Sequence, residues 1–87
     1  MIGQSEAELR QALRAWVRCH ATVEVPESFD DATPLITTRY LTSLQVAELL
    51  LYVEELRDRS LDVATLRPGV FRDIDTVYAT FLAEGAP

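Results

Sequence analysis

"RYLTSLQVAELLLYVEEL", residues 39–56, is the stretch on which the reading of this chain turns. Leu44, Val46, Ala47, Leu49, Leu50, Leu51, Val53 and Leu56 cover most of the circumference of a helix running over 43–57. A helix apolar on nearly every side is expected at the centre of a bundle, packed on several sides and anchoring the fold. Each large side chain buried there contributes about 1.5–3 kcal/mol before conformational entropy is counted. The start of this helix is also written in the sequence. With Thr42 as N-cap, Gln45 falls three residues on and completes a capping box, while Leu41 and Val46 can close a hydrophobic staple. Ser43 is then the first helical residue, and its hydroxyl is not needed by the cap. Two readings stand side by side. Ser43 is a solvated helix-start serine, or it is a chemical attachment point. An anionic group on its oxygen would meet unpaired backbone amides and the positive end of the helix dipole. The residues permit the second reading without requiring it, and by themselves they favour the plainer one.

Working outward towards the N-terminus, 22–41 contains Pro26, Pro34 and two adjacent aspartates, and has no clear periodicity. A connection of this length is uncommon in a small domain and is usually functional where it occurs. Phe29, Leu35 and Ile36 are expected to tack it to the core. Before it, Ser5 and Glu8 form a capping box, followed by a stripe of Leu9, Ala12, Leu13, Trp16 and Val17 at helical spacing. A helix over 5–21 follows, with Arg10, Gln11, Arg14 and Arg18 mostly off the stripe. Towards the C-terminus, 58–67 reads as a polar connection anchored by Leu61 and Val63. Pro68-Gly69-Val70-Phe71 reads as a turn or a very short helix, opened by Pro68. Asp73 is an N-cap for a last helix whose stripe is Ile74, Val77, Tyr78 and Phe81. Gly85-Ala86-Pro87 ends the chain. No stretch alternates as a strand would. The expected fold is all-α: one domain over 1–87, a small four-helix bundle with three main helices, one short third helix and a long first loop.

Composition narrows the function. Eighty-seven residues with 48% hydrophobic content suit one modest core and argue against wholesale disorder. The net charge of −6 counts against nucleic acid, whose phosphates would be repelled. All 8 basic residues are arginine, a hint of a GC-rich genome and nothing chemical. The apolar run from Leu49 to Val53 is too short to span a bilayer. No basic region followed by an apolar stretch opens the chain, so the cytoplasm is the expected location. Cys19 is the only cysteine, which rules out an internal disulfide. Cys19-His20 has no further Cys or His to complete a metal site and reads as the end of a helix. Asp30-Asp31 reads as solvation and turn chemistry, and Trp16 and Tyr52 read as packing.

The segment "YLTSLQVAELLLYVEEL" resembles the prosthetic-group site of acyl and peptidyl carrier proteins. Those proteins carry Asp-Ser-Leu at the start of their second helix, then an apolar helix with acids on its outer face. Ser43-Leu44 matches the Ser-Leu pair, Glu48, Glu54 and Glu55 fall where that family commonly has acids, and Leu61 matches an apolar position after the helix. The likeness runs through the order of helices to "FRDIDTVYATFL". It departs at Thr42, where the family has Asp, at Arg39, which makes the site less acidic, and at Arg57, where an apolar residue is common. The resemblance implies an acyl-carrier-protein-like fold and a 4′-phosphopantetheine group, delivered from coenzyme A to Ser43 by a phosphopantetheinyl transferase. It implies a monomer without catalysis of its own, which holds acyl or aminoacyl cargo as a thioester. Its further partners would be a loading ligase and a downstream transferase or synthase, in polyketide, nonribosomal-peptide or related specialised metabolism. Arg39, Thr42, Leu44, Glu48, Glu54 and Glu55 would form the docking surface. Two other readings keep less of the pattern: a carrier-like adaptor that binds an enzyme through the second helix without being modified, and an unrelated helical interaction module. An independent enzyme is least favoured, because no nucleophile, base and orienting group can be nominated together.

Overall fold

The structure is a computed structural model that describes residues 5–57 and 69–83. The expected connection over 58–67, Pro68 with it, and the Gly85-Ala86-Pro87 end lie outside the described residues. The described residues form helices and turns, with no strand.

Helix α1 spans Glu6–His20. Its N-terminus closes as the sequence implies: the Glu8 amide donates to Ser5 Oγ at 3.2 Å, and the Ser5 amide donates to Glu8 Oε1 at 2.9 Å. These bonds satisfy donors that the first turn leaves without intrahelical partners. Leu9, Leu13, Trp16 and Val17 are buried and Ala12 is half-buried, so the expected stripe faces the core. The helix stops at Ala21, whose extended backbone still donates to the Val17 carbonyl. Trp16 stacks on Tyr52 with ring centroids 6.0 Å apart, a packing contact between α1 and the second helix.

The loop over 22–42 is a run of turns tied to the helices. Its Leu35 amide donates to the Arg72 carbonyl at 2.8 Å, and Asp31 accepts from the Asp75 amide at 2.9 Å through its backbone. Phe29, Leu35 and Leu41 are buried. Ile36 is not: it is 50% exposed, against the expectation that it tacks the loop down. The reason is local. The Leu41 amide reaches the Leu35 carbonyl and the Arg39 amide reaches the Ile36 carbonyl, so 36–39 loops outward between two buried leucines.

Helix α2 spans Ser43–Arg57. Among the described residues it packs through one broad side. Leu49 and Val53 are buried, and Val46, Leu50, Tyr52 and Leu56 are partly buried against the same core. Leu44 and Leu51 remain 66% and 60% exposed, and Ala47 is exposed as well. One side of the helix therefore meets the core, and the apolar residues on the opposite side face outward.

Helix α3, Ile74–Val77, begins at Asp73, which accepts from the Thr76 amide at 2.7 Å. It continues into a π-helical turn, Tyr78–Leu82, ended by an Ala83 amide that donates five residues back to Tyr78 at 2.8 Å. Ile74, Val77 and Phe81 are buried, and Phe81 packs on Phe71 with centroids 5.5 Å apart. Tyr78 is half-buried under the Arg10 guanidinium. The preceding residues, Gly69 to Phe71, form a turn in which Gly69 adopts φ +89, a conformation that disfavours other residues.

Candidate functional site

The first turn of α2 separates capping from Ser43. The Gln45 side-chain oxygen accepts the Thr42 amide at 3.1 Å and also the Thr42 hydroxyl. The Val46 amide donates to the Thr42 carbonyl at 2.9 Å and starts the helical ladder. Only the return half of the expected capping box is formed among the described residues: the Thr42 hydroxyl donates to the Gln45 side chain and does not accept the Gln45 amide. Ser43 is exposed, and its hydroxyl takes part in no hydrogen bond among the described residues.

Ser43 lines a groove of about 670 Å³. The groove floor is Leu41, which is buried, and one wall is the start of α2 with Thr42 and Val46. The other wall is built from both ends of the loop. Thr22, just past α1, donates its amide to the Tyr40 carbonyl at 2.9 Å and its hydroxyl to the Arg39 carbonyl at 2.7 Å. This brings Val23 beside Ile36 and Arg39. Arg39 has φ 66, the left-handed region that a side chain occupies only when its surroundings hold it there. Thr22, Val23 and Ile36 are parts of this site that no motif marks, since it is the loop path that carries them to Ser43.

The remaining residues singled out by the sequence lie along α2. Leu44, Glu48 and Glu55 are exposed and share a face with Leu51, because residues four and seven apart stack on one side of a helix. Glu54 is half-buried and already engaged within the protein. Arg39 is exposed on the groove side.

A second cluster of charge lies on α1, beside the loop and α3. Asp31 accepts from Arg10 and Arg14, each at 2.8 Å, and Arg10 also bonds Glu6 and Asp75. Burial pushes the Asp31 carboxyl up, but hydrogen bonds and charge from Arg14 and Arg10 outweigh it and hold the group below its ordinary value. Its partner Arg10 is held more firmly protonated, first by Asp31 and then by Asp75. Asp30 does turn chemistry: its carboxylate accepts the Ala32 amide and the Thr33 hydroxyl. The arginines were legible only as residues off the α1 stripe; their partner lies 17 to 21 positions away in the loop. The cluster is a structural tie between α1, the loop and α3. Elsewhere, Cys19 is exposed, and His20 stacks on Trp16 with its Nδ1 2.9 Å from the Trp16 carbonyl oxygen. Among the described residues no group of three or more His, Cys, Asp or Glu is placed to hold a metal, and no helix is long and apolar enough to cross a membrane.

No protein-family model and no curated protein matches this chain.

Proposed function

We propose that this chain is a thioester carrier with its attachment point at Ser43, built on a four-helix carrier-protein fold. One observation carries the reading. Ser43 stands at the exposed start of α2 with a hydroxyl that bonds nothing among the described residues, while the neighbouring Thr42 amide and hydroxyl are tied to the Gln45 side chain. A serine needed for capping would be spent on the backbone.

The residues present suit a 4′-phosphopantetheine group. The Ser43 oxygen is accessible, the first-turn amides of α2 favour a neighbouring anion, and Arg39 adds a cation on the same rim. When bound, the group supplies a terminal thiol able to hold an acyl or aminoacyl unit as a thioester. Ser43 takes part once, as the nucleophile in a phosphopantetheinyl transferase. Its oxygen forms a bond to the pantetheine-bearing phosphorus of coenzyme A. The anhydride bond to adenosine 3′,5′-bisphosphate breaks, and the hydroxyl proton passes to a base on the transferase. After that the chain positions cargo for a loading ligase and a downstream transferase or synthase, and catalyses nothing itself. Tethering raises the local concentration of cargo at each of these enzymes. Leu44, Glu48 and Glu55 provide an exposed apolar and acidic strip for basic partner surfaces, with Glu54 at its edge. Specialised metabolism is the favoured setting, because Thr42 stands where housekeeping carriers have an acid.

The test is direct. The protein is incubated with coenzyme A, Mg²⁺ and a broad-specificity phosphopantetheinyl transferase, then weighed intact. One phosphopantetheine is expected, mapped to Ser43 and absent in Ser43→Ala. That variant should lose less than about 1 kcal/mol of stability, since the cap remains. Slow loading that Thr42→Asp accelerates would identify recognition as the limiting step. A serine that stays bare with several transferases, and with Thr42→Asp, would leave the second reading: an unmodified adaptor. The observation favouring that reading is the Leu44–Leu51 strip, which needs no modification to bind a partner.

A further inference from the structure

The groove beside Ser43 has a chemistry of its own. Val23 and Ile36 stand 49% and 50% exposed on one wall, and Val46 faces the groove from α2. Among the described residues Arg39 is the only charged one in its lining. It is also the one arginine whose guanidinium has no partner among the described residues. Arg10 and Arg14 are tied to Asp31, Arg18 to the Val25 and Pro26 carbonyls and Arg72 to Asp73, while Arg57 is engaged within the protein. The backbone beneath Arg39 is held on both sides, its amide by the Ile36 carbonyl and its carbonyl by the Thr22 hydroxyl. An unpaired cation and an apolar wall are thus presented together on a braced rim. The space, about 670 Å³, lies within the roughly 300–1,000 Å³ typical of small-molecule clefts.

We propose that this groove seats the near half of the prosthetic arm of Ser43, an inference that rests on the carrier reading. The group nearest the serine oxygen is a phosphodiester with a single negative charge, which Arg39 matches. One methylene further along the arm is a carbon bearing two methyl groups, which Val23, Ile36 and Val46 would cover. The arm then has a seated state and an extended state, and a partner enzyme draws the cargo out by competing for its near half. Weakening the groove shifts that balance towards the extended state.

The experiment uses the full chain with methyl groups labelled for NMR. It is loaded from coenzyme A, with complete loading checked by intact mass before each spectrum. Loading should shift the Val23, Ile36 and Val46 methyl signals and leave those of Val17 and Val77 unmoved. Cross-relaxation should connect the two arm methyls to Val23 and Ile36. These contacts should disappear in Ile36→Ser and weaken in Arg39→Ala, while Arg39→Lys keeps them. Ile36 is half-exposed, so the serine variant is expected to fold, and an unchanged dispersion of core methyl signals verifies it. A fully loaded protein whose shifts stay within a few residues of Ser43, with no contacts to Val23 or Ile36, would overturn the seat and leave the carrier reading standing. A protein that never gains the mass would remove both.

Discussion

Helices α1 and α2 are both 15 residues long, and they spend their apolar side chains in opposite ways. α1 concentrates Leu9, Leu13, Trp16 and Val17 on one stripe and buries all four, with its polar residues elsewhere. α2 is apolar nearly all round and buries Leu49 and Val53, leaving Leu44 and Leu51 largely exposed. A single exposed leucine is ordinary on a protein surface. Two on one face, with exposed Ala47 nearby and Glu48 and Glu55 alongside, make a strip that starts next to Ser43. Apolarity therefore measures burial in α1 but not in α2, where the surplus faces outward.

The largest expected effect tests that contrast. Leu13→Ala should cost about 2–5 kcal/mol in a urea melt, as a fully buried leucine does. Leu51→Ala should cost less than about 0.5 kcal/mol. Equal losses would show that the outer side of α2 is covered and would erase the distinction. The helix caps come next. Asp73 is buried and holds the start of α3, so Asp73→Ala should lose about 0.5–2 kcal/mol. Ser5→Ala, at an exposed cap on α1, should lie at the low end of that range.

A smaller effect separates the tied face of α1 from the open face of α2. Asp31→Asn weakens the tie to Arg10 and Arg14 and should cost on the order of 1 kcal/mol at neutral pH. The Asp31 carboxyl is held below its ordinary 3.8, so its contribution is complete above that pH and fades as pH falls through the lower folded value. The stability gap between the native chain and Asp31→Asn should therefore close on acidification below about pH 4. A gap that stays constant would mean the carboxylate charge is not what stabilises. The smallest stability effect belongs to Glu48→Arg and Glu55→Arg, within about 0.5 kcal/mol. Their signature should be weaker and less salt-sensitive binding to the transferase, since exposed charges act over a screening length of about 8–10 Å. Unchanged affinity and salt dependence would make the acidic edge of α2 a solvated surface only.

Where the chain starts its helices was legible because those decisions are made within a few residues. Ser5 with Glu8, Thr42 with Gln45 and Asp73 with Thr76 are contacts three positions apart, and the α1 stripe follows from helical spacing alone. The sequence likewise singled out Ser43 as a hydroxyl released from capping, with Leu44 and Glu48 behind it. What it could not decide is which side of an evenly apolar helix the core would cover, because periodicity carries no direction when every face is apolar. Nor could it place Ile36 outside the core, pair Asp31 with Arg10 and Arg14, or bring Val23 and Ile36 to the serine. Each depends on the path of the 22–42 loop, which is set by bonds such as Leu35 to Arg72 and Thr22 to Tyr40. Their partners lie far apart in the chain and leave no local pattern, so only the tertiary structure could put an apolar wall beside Ser43 and Arg39.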